Sequence, residues 1–133
     1  MEIVELEKQT TRQLQKMAKD LNIENFKRLK RDGLVVKIAQ SLADAEGLEM
    51  SGGVLEVMNE GIGFLRSNYR IGPDDVYVSQ AQLRRYELRS GDLVIGHVRP
   101  PRESERHHGL LKVESVNGLT PDEARKRPKF ESL

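Results

Sequence analysis

The chain has no cysteine and no tryptophan, and only six of its 133 residues are Phe or Tyr. Without cysteine there can be neither disulfides nor thiolate metal sites, which fits a reducing cytoplasm. An excess of charge of one sign is missing too: 22 Lys and Arg stand against 21 Asp and Glu, a net charge of +1. The balance holds along the chain, with nine against nine in residues 1–50, nine against nine in 51–119 and four against three in 120–133. This excludes a global basic field of the kind that drives nonspecific nucleic-acid binding, so any such site must be a local groove. No apolar run approaches the roughly 18 to 20 residues of a membrane span, and the N-terminus has no signal-peptide pattern. The expectation is a soluble cytoplasmic protein with no membrane partner.

A charged fraction of 32% beside 37% hydrophobic residues fits a folded chain. Its first part reads in helical period. Leu14, Met17, Ala18 and Leu21 fall on one face, with Thr10 or Thr11 available as N-cap. Leu34, Val35, Ile38, Leu42 and Ala45 form a second run, with Asp32 as candidate cap and Gly47 as its end. Met1–Leu6 and Asn25–Leu29 add short turns. A bundle of residues 1–47 is marginal alone, so it is expected to lean on the C-terminal part of the chain.

From Ser51-Gly52-Gly53 the period becomes two. Val54, Leu55 and Val57 begin a strand, Asn59-Glu60-Gly61 gives a hairpin turn, and Ile62–Ser67 returns. A loop at Asn68–Pro73, a strand at Asp75–Ser79 and an ambiguous Gln80–Leu88 with Leu83 facing inward come next. Leu93–Val98 is an apolar strand that Pro100-Pro101 must break, and a last strand lies near His108–Val116. Five short strands with one interruption suit a small OB-type barrel. The predicted class is therefore α+β, with a helical subdomain at 1–47, a five-stranded OB barrel at 48–119 and a charged linker without clear period at 120–133.

In a chain this poor in rings, their placement is informative. Phe64 and Arg66 lie two apart on a strand after the glycine turn, and Asp75 and Tyr77 repeat that spacing on the next strand. Rings on a small sheet are platforms for bases, and adjacent charges can read base edges. The same residues also suit ordinary strand packing and a surface Arg–Asp pair.

Six ordered blocks carry a resemblance: Gly-Val-Leu-Glu-Val-Met, Gly-Ile-Gly-Phe-Leu-Arg, Gly-Pro-Asp-Asp-Val-Tyr-Val-Ser, Leu-Arg-Arg-Tyr-Glu-Leu-Arg-Ser-Gly-Asp, Val-Arg-Pro-Pro-Arg and Leu-Leu-Lys-Val-Glu, between Gly53 and Glu114. Together they resemble the N-terminal RNA-binding domain of the bacterial transcription termination factor Rho. The resemblance implies a helical subdomain packed on a cold-shock-like OB barrel that binds single-stranded, cytosine-preferring, pyrimidine-rich RNA. It implies that Phe64 and Tyr77 stack on bases, that Arg66 and Asp75 read a cytosine edge, and that Glu105 assists a second base. A carboxylate at that edge accepts from the cytosine amino group and repels the uracil carbonyl. Arg102, Arg106 and, more weakly, Lys112 are candidates for phosphates. His107-His108 replaces a pair that is more often aromatic, and His107 could still stack on a base or on Tyr77, with some pH sensitivity. Ile62 stands where an aromatic is common and is expected to pack.

In that family the domain belongs to a homohexameric, RNA-dependent ATPase and helicase that uses ATP and Mg, with RNA polymerase and elongation factors as further partners. This chain has no Gly-x-x-x-x-Gly-Lys-Ser/Thr stretch, so the expectation is a monomeric binding module with no catalytic site and no cofactor. Three other readings compete. Asp74, Asp75, Glu105, His107 and His108 could be imagined as a metal hydrolase site, although neighbouring histidines on a strand face opposite ways. The helical part, with Lys27, Arg28, Lys30 and Arg31, could serve a DNA-binding adaptor, duplex or single-stranded. A general cold-shock RNA chaperone would need a denser ring patch.

Overall fold

A computed structural model of the chain describes residues 2–66 and 75–127. The expected loop at Asn68–Pro73, together with Ser67, Asp74 and residues 128–133, lies outside the described residues.

Two α-helices, α1 (Ile3–Glu7) and α2 (Thr11–Asp20), lead through a 3-10 turn at Phe26–Arg28 into α3 (Arg31–Ala45). Thr10 caps α2 in a capping box: its Oγ1 accepts from Gln13 N at 3.1 Å, and Gln13 Oε1 accepts from Thr10 N at 2.9 Å. Lys30 is the residue before α3 and provides no side-chain cap. Asp32, expected as that cap, sits inside the first turn, where its charge suits the positive end of the helix dipole. Gly47, at φ +76°, ends α3 as expected. Gly47 N donates to Asp44 O at 3.1 Å and Leu48 N to Ala43 O at 2.9 Å, which is a Schellman ending.

The strands are β1 (Met50–Val57), β2 (Gly63–Arg66), β3 (Val76–Val78), β4 (Leu93–Arg99) and β5 (His108–Val116). They close a barrel in the order β1-β2-β3-β5-β4, with β3 and β5 parallel and the other pairs antiparallel. Between β3 and β4 lies α4 (Gln80–Arg85), which Ser79 caps and which buries Leu83. This is the α+β architecture expected from the change of period, a helical N-terminus on an OB-type barrel.

Two boundaries differ from the sequence reading. β1 starts at Met50 rather than at Val54, so Ser51-Gly52-Gly53 already belongs to the strand. β1 pairs with β4 over Met50–Val54 and passes to β2 from Val54 onward, and where the two pairings meet the backbones come close. A Cβ on Gly52 would stand 2.6 Å from Val94 O, and one on Gly53 2.6 Å from Arg66 O. Glycine here permits barrel closure. The charged tail also holds a helix, α5 (Pro121–Arg125), with a Thr120–Glu123 capping box and Ala124 buried. Five residues are too few to show a helical period in the sequence.

Alternation along β4 joins the two halves. Val94 faces the barrel interior with Leu55, Leu65, Val76, Val113 and Val116. Leu93 and Ile95 face outward and, with Met50, share a core with Leu6, Leu14, Leu34 and Ile38 of the helices. Burying a side chain of this size contributes about 1.5–3 kcal/mol, so the small bundle gains much of its stability from the barrel. Ser115 Oγ donates to Glu7 Oε2 at 2.8 Å and ties α1 to β5.

Candidate functional site

With the helices seated on the outer face of β1 and β4, the outer face of β2 and β3 is left for Phe64, Arg66 and Tyr77. Along β2, Leu65 turns into the barrel while Phe64 and Arg66 are half-buried outside it. Phe64 is directly opposite Tyr77 in the β2–β3 register. Their ring centroids are 6.0 Å apart at 68°, an edge-to-face pair. His107, just before β5, packs edge-to-face on Phe64 at 5.2 Å and 68°. The three rings form one cluster, and the ring contact of His107 is with Phe64. His107 Nδ1 is buried and has no hydrogen-bond partner.

Arg66 lies between this cluster and the helical seat, opposite Val54 of β1. Its Nη1 forms an ion pair with Glu56, and its Nε is 3.9 Å from Asp75 Oδ2. Nε is buried and makes no hydrogen bond at that distance. The two carboxylates are unlike in exposure: Glu56 is 48% exposed and Asp75 3%. Asp75, expected as an acceptor for a base edge, is therefore buried beside Arg66. The sequence reading missed Glu56. The signal was available, because the hairpin register puts Glu56 opposite Phe64.

Glu105 is on the loop between β4 and β5 with both oxygens engaged. Arg99 Nη1 donates to Oε1 at 2.6 Å and Nη2 to Oε2 at 3.0 Å, while Arg102 N donates to Oε1 at 2.9 Å. The hydrogen bonds from Arg99 come first among the causes that push the Glu105 carboxyl down to about 2. Arg102 and Arg106 are exposed on the same loop. Lys112 is 71% exposed and 3.6 Å from Glu114, which also pairs with His97 at 2.9 Å. Lys112 therefore stands in a mixed-charge surface group on β5. His108 faces away from the rings and pairs with Glu49 at 3.0 Å. A groove of about 910 Å³ opens beside Arg66 and His108 and runs between β1 and α3, where Arg28 and Lys37 line it.

The sequence residues thus fall into two groups: Phe64, Tyr77, His107 and Arg66 with Asp75 beside it, and a loop group of Glu105, Arg102 and Arg106. Among the described residues no set of three His, Asp or Glu side chains is placed to hold a metal ion, and no helix is long and apolar enough to cross a membrane.

Residues 51–122 match the family model of the Rho termination factor RNA-binding domain, and residues 5–47 that of the Rho termination factor N-terminal domain. The chain is 41% identical over 137 aligned residues to transcription termination factor Rho of Pseudomonas fluorescens biotype C and 42% identical to that of Pseudomonas aeruginosa. It is 39% identical over 136 to the one of Escherichia coli K12. Each alignment covers the whole of this chain and 32% of the relative. The chain belongs to the Rho termination factor family, of which it carries the N-terminal and RNA-binding domains.

Proposed function

We propose that the chain binds single-stranded, cytosine-rich RNA as the primary RNA-binding module of a Rho-type transcription terminator. The observation that carries this reading is the ring cluster of Phe64, Tyr77 and His107 beside Arg66 on the barrel face that the helices leave open. A base stacked on such a ring is worth about 1–3 kcal/mol whatever its identity. Identity comes from Arg66, which Glu56 and Asp75 hold and whose buried Nε has a donor to spare. Arg66 donates to the cytosine ring acceptors, and Asp75 accepts from the exocyclic amino group once Arg66 moves toward the base. Uracil offers a carbonyl there and is disfavoured. Arg102 and Arg106 supply phosphate contacts from the exposed loop.

Because the chain spans 32% of its relatives' length, we assign ATP and Mg use, helicase action and homohexamer formation to the longer protein. The module itself acts as a cytoplasmic monomer without cofactor, and RNA polymerase and elongation factors are partners of the whole. Fluorescence anisotropy with short labelled oligo(C), oligo(U) and oligo(A) tests the reading against Tyr77→Ala. Preference for oligo(C), weakened about 5- to 150-fold in the variant, is expected. Equal binding of all three, or no effect of the substitution, overturns it.

A further inference from the structure

The row of residues that holds the rings continues past them. Register pairs Phe64 with Tyr77, Tyr77 with Gly109, and Gly109 with Arg99, all on the outer face. Gly109 has no side chain, and the Arg99 guanidinium occupies the space over it. A Cβ at Gly109 would stand 3.2 Å from Arg99 Cζ and Nη2 and 3.3 Å from Nε. The guanidinium therefore lies across the strand that adjoins Tyr77, one strand spacing of about 4.8 Å away. Glu105 fixes its orientation through the two parallel hydrogen bonds at 2.6 and 3.0 Å. A bidentate pair of this kind fixes the rotation of the plane, which an ammonium could not do.

Two features mark the plane as a surface for a base. Arg99 is 25% exposed, so part of the guanidinium remains open to a ligand. Its charge is matched by an adjacent carboxylate that stays ionised throughout the neutral range, so it is a poor clamp for a phosphate. Bases stack on guanidinium planes much as they do on aromatic rings.

Resting on the RNA-binding reading above, we propose that Arg99, spread over Gly109 and clamped by Glu105, is a stacking platform for the base next to the one on Tyr77. Glu105 then serves the second base chiefly by positioning Arg99.

The test uses short labelled oligo(C) and the same oligomer with one abasic sugar at each position in turn. Binding is measured for the unaltered chain, Arg99→Lys, Gly109→Ala and Tyr77→Ala, with thermal melts to confirm folding. Arg99→Lys keeps the charge, so the salt dependence should not change, while affinity for intact oligo(C) falls about fivefold or more. One abasic ligand should erase that loss, and its position should neighbour the one that erases the Tyr77→Ala loss. Gly109→Ala, which displaces the plane but keeps Arg99 and Glu105, should lose affinity at the same position. Equal loss on every abasic ligand would mean that Arg99 acts through the loop fold or a phosphate, and would overturn the platform. A loss with Tyr77→Ala but none with Arg99→Lys overturns the platform alone. No loss with either overturns the ring site and the platform with it.

Discussion

Truncating Arg127 should unpin the end of α5 from the barrel. Its Nη1 donates to Asp92 Oδ1 at 2.8 Å, and its Nη2 donates to Asp92 Oδ2 and to Glu87 O, both at 3.1 Å. Nε donates to Ala124 O at 2.8 Å. The two charged side chains are only 15% and 7% exposed. Removing one partner of a fully buried pair costs about 3–5 kcal/mol. Here Asp92 keeps hydrogen bonds from Arg89 N and Asn117 Nδ2, both at 2.9 Å, so its carboxylate is not left without partners. A loss of about 2 kcal/mol is the better figure, or roughly 6–10 °C in Tm for a chain of this size. The pH dependence adds a second reading. Burial alone would raise the Asp92 carboxyl, but the bonds from Arg127, Arg89 and Asn117 outweigh burial and hold it below its usual range. Stability from this group is therefore present above the ordinary Asp value of about 3.9 and lost as pH falls through the depressed one. Urea unfolding of the unaltered chain and Arg127→Ala, at neutral pH and at steps below pH 4, should show the gap closing in acid. A neutral-pH loss under about 0.5 kcal/mol, within the range of ordinary surface changes, would refute the argument.

The same geometry sets three further outcomes. Gly52→Ala puts a Cβ against Val94 O at 2.6 Å and should cost about 1–3 kcal/mol in urea unfolding; a neutral result would mean that β1 and β4 do not close as described. A plot of log affinity for oligo(C) against log salt should be shallow, since a slope implying about six or more phosphate contacts would exceed a site of this size. Burial raises the Glu7 carboxyl above its ordinary value against opposing bonds from Ser115 and Gly118. Its stabilising contribution is full below the ordinary Glu value of about 4.3 and fades as pH rises through the raised one. Glu7→Gln should flatten that part of the stability profile, and an unchanged profile would remove Glu7 as its source.

Much of this was legible because period and spacing are local. The switch from 3.6 to two near residue 50 gave the two halves, and the two-residue spacing put Phe64 with Arg66 on one face. Leu83 inside α4 and the stop of β4 at Pro100 were legible for the same reason. What was missed depends on chain that is distant in sequence. Gly52 and Gly53 carry no side chain to show a strand period, so β1 reads as starting at Val54 until β4 is seen against them. Asp75, expected on the strand face of Tyr77, lies just before β3 and is buried, which alternation alone cannot show. The partner of Glu105 is not legible in the sequence, because Arg99 reaches it only by folding back over Gly109. Arg127 needs Asp92, 35 residues earlier in the chain and just before β4, to become more than a tail charge.

The core that Leu93 and Ile95 share with the helices has a consequence for the order of synthesis. The helices leave the ribosome first, but the residues that complete their core are translated only with β4. At about 5–20 residues per second, the apolar face of α2 and α3 waits several seconds for its cover. During that interval the nascent chain presents Leu14, Leu34 and Ile38 to the cell as an unfinished surface. Folding of the N-terminal part is thus timed by the strand that it later sits on.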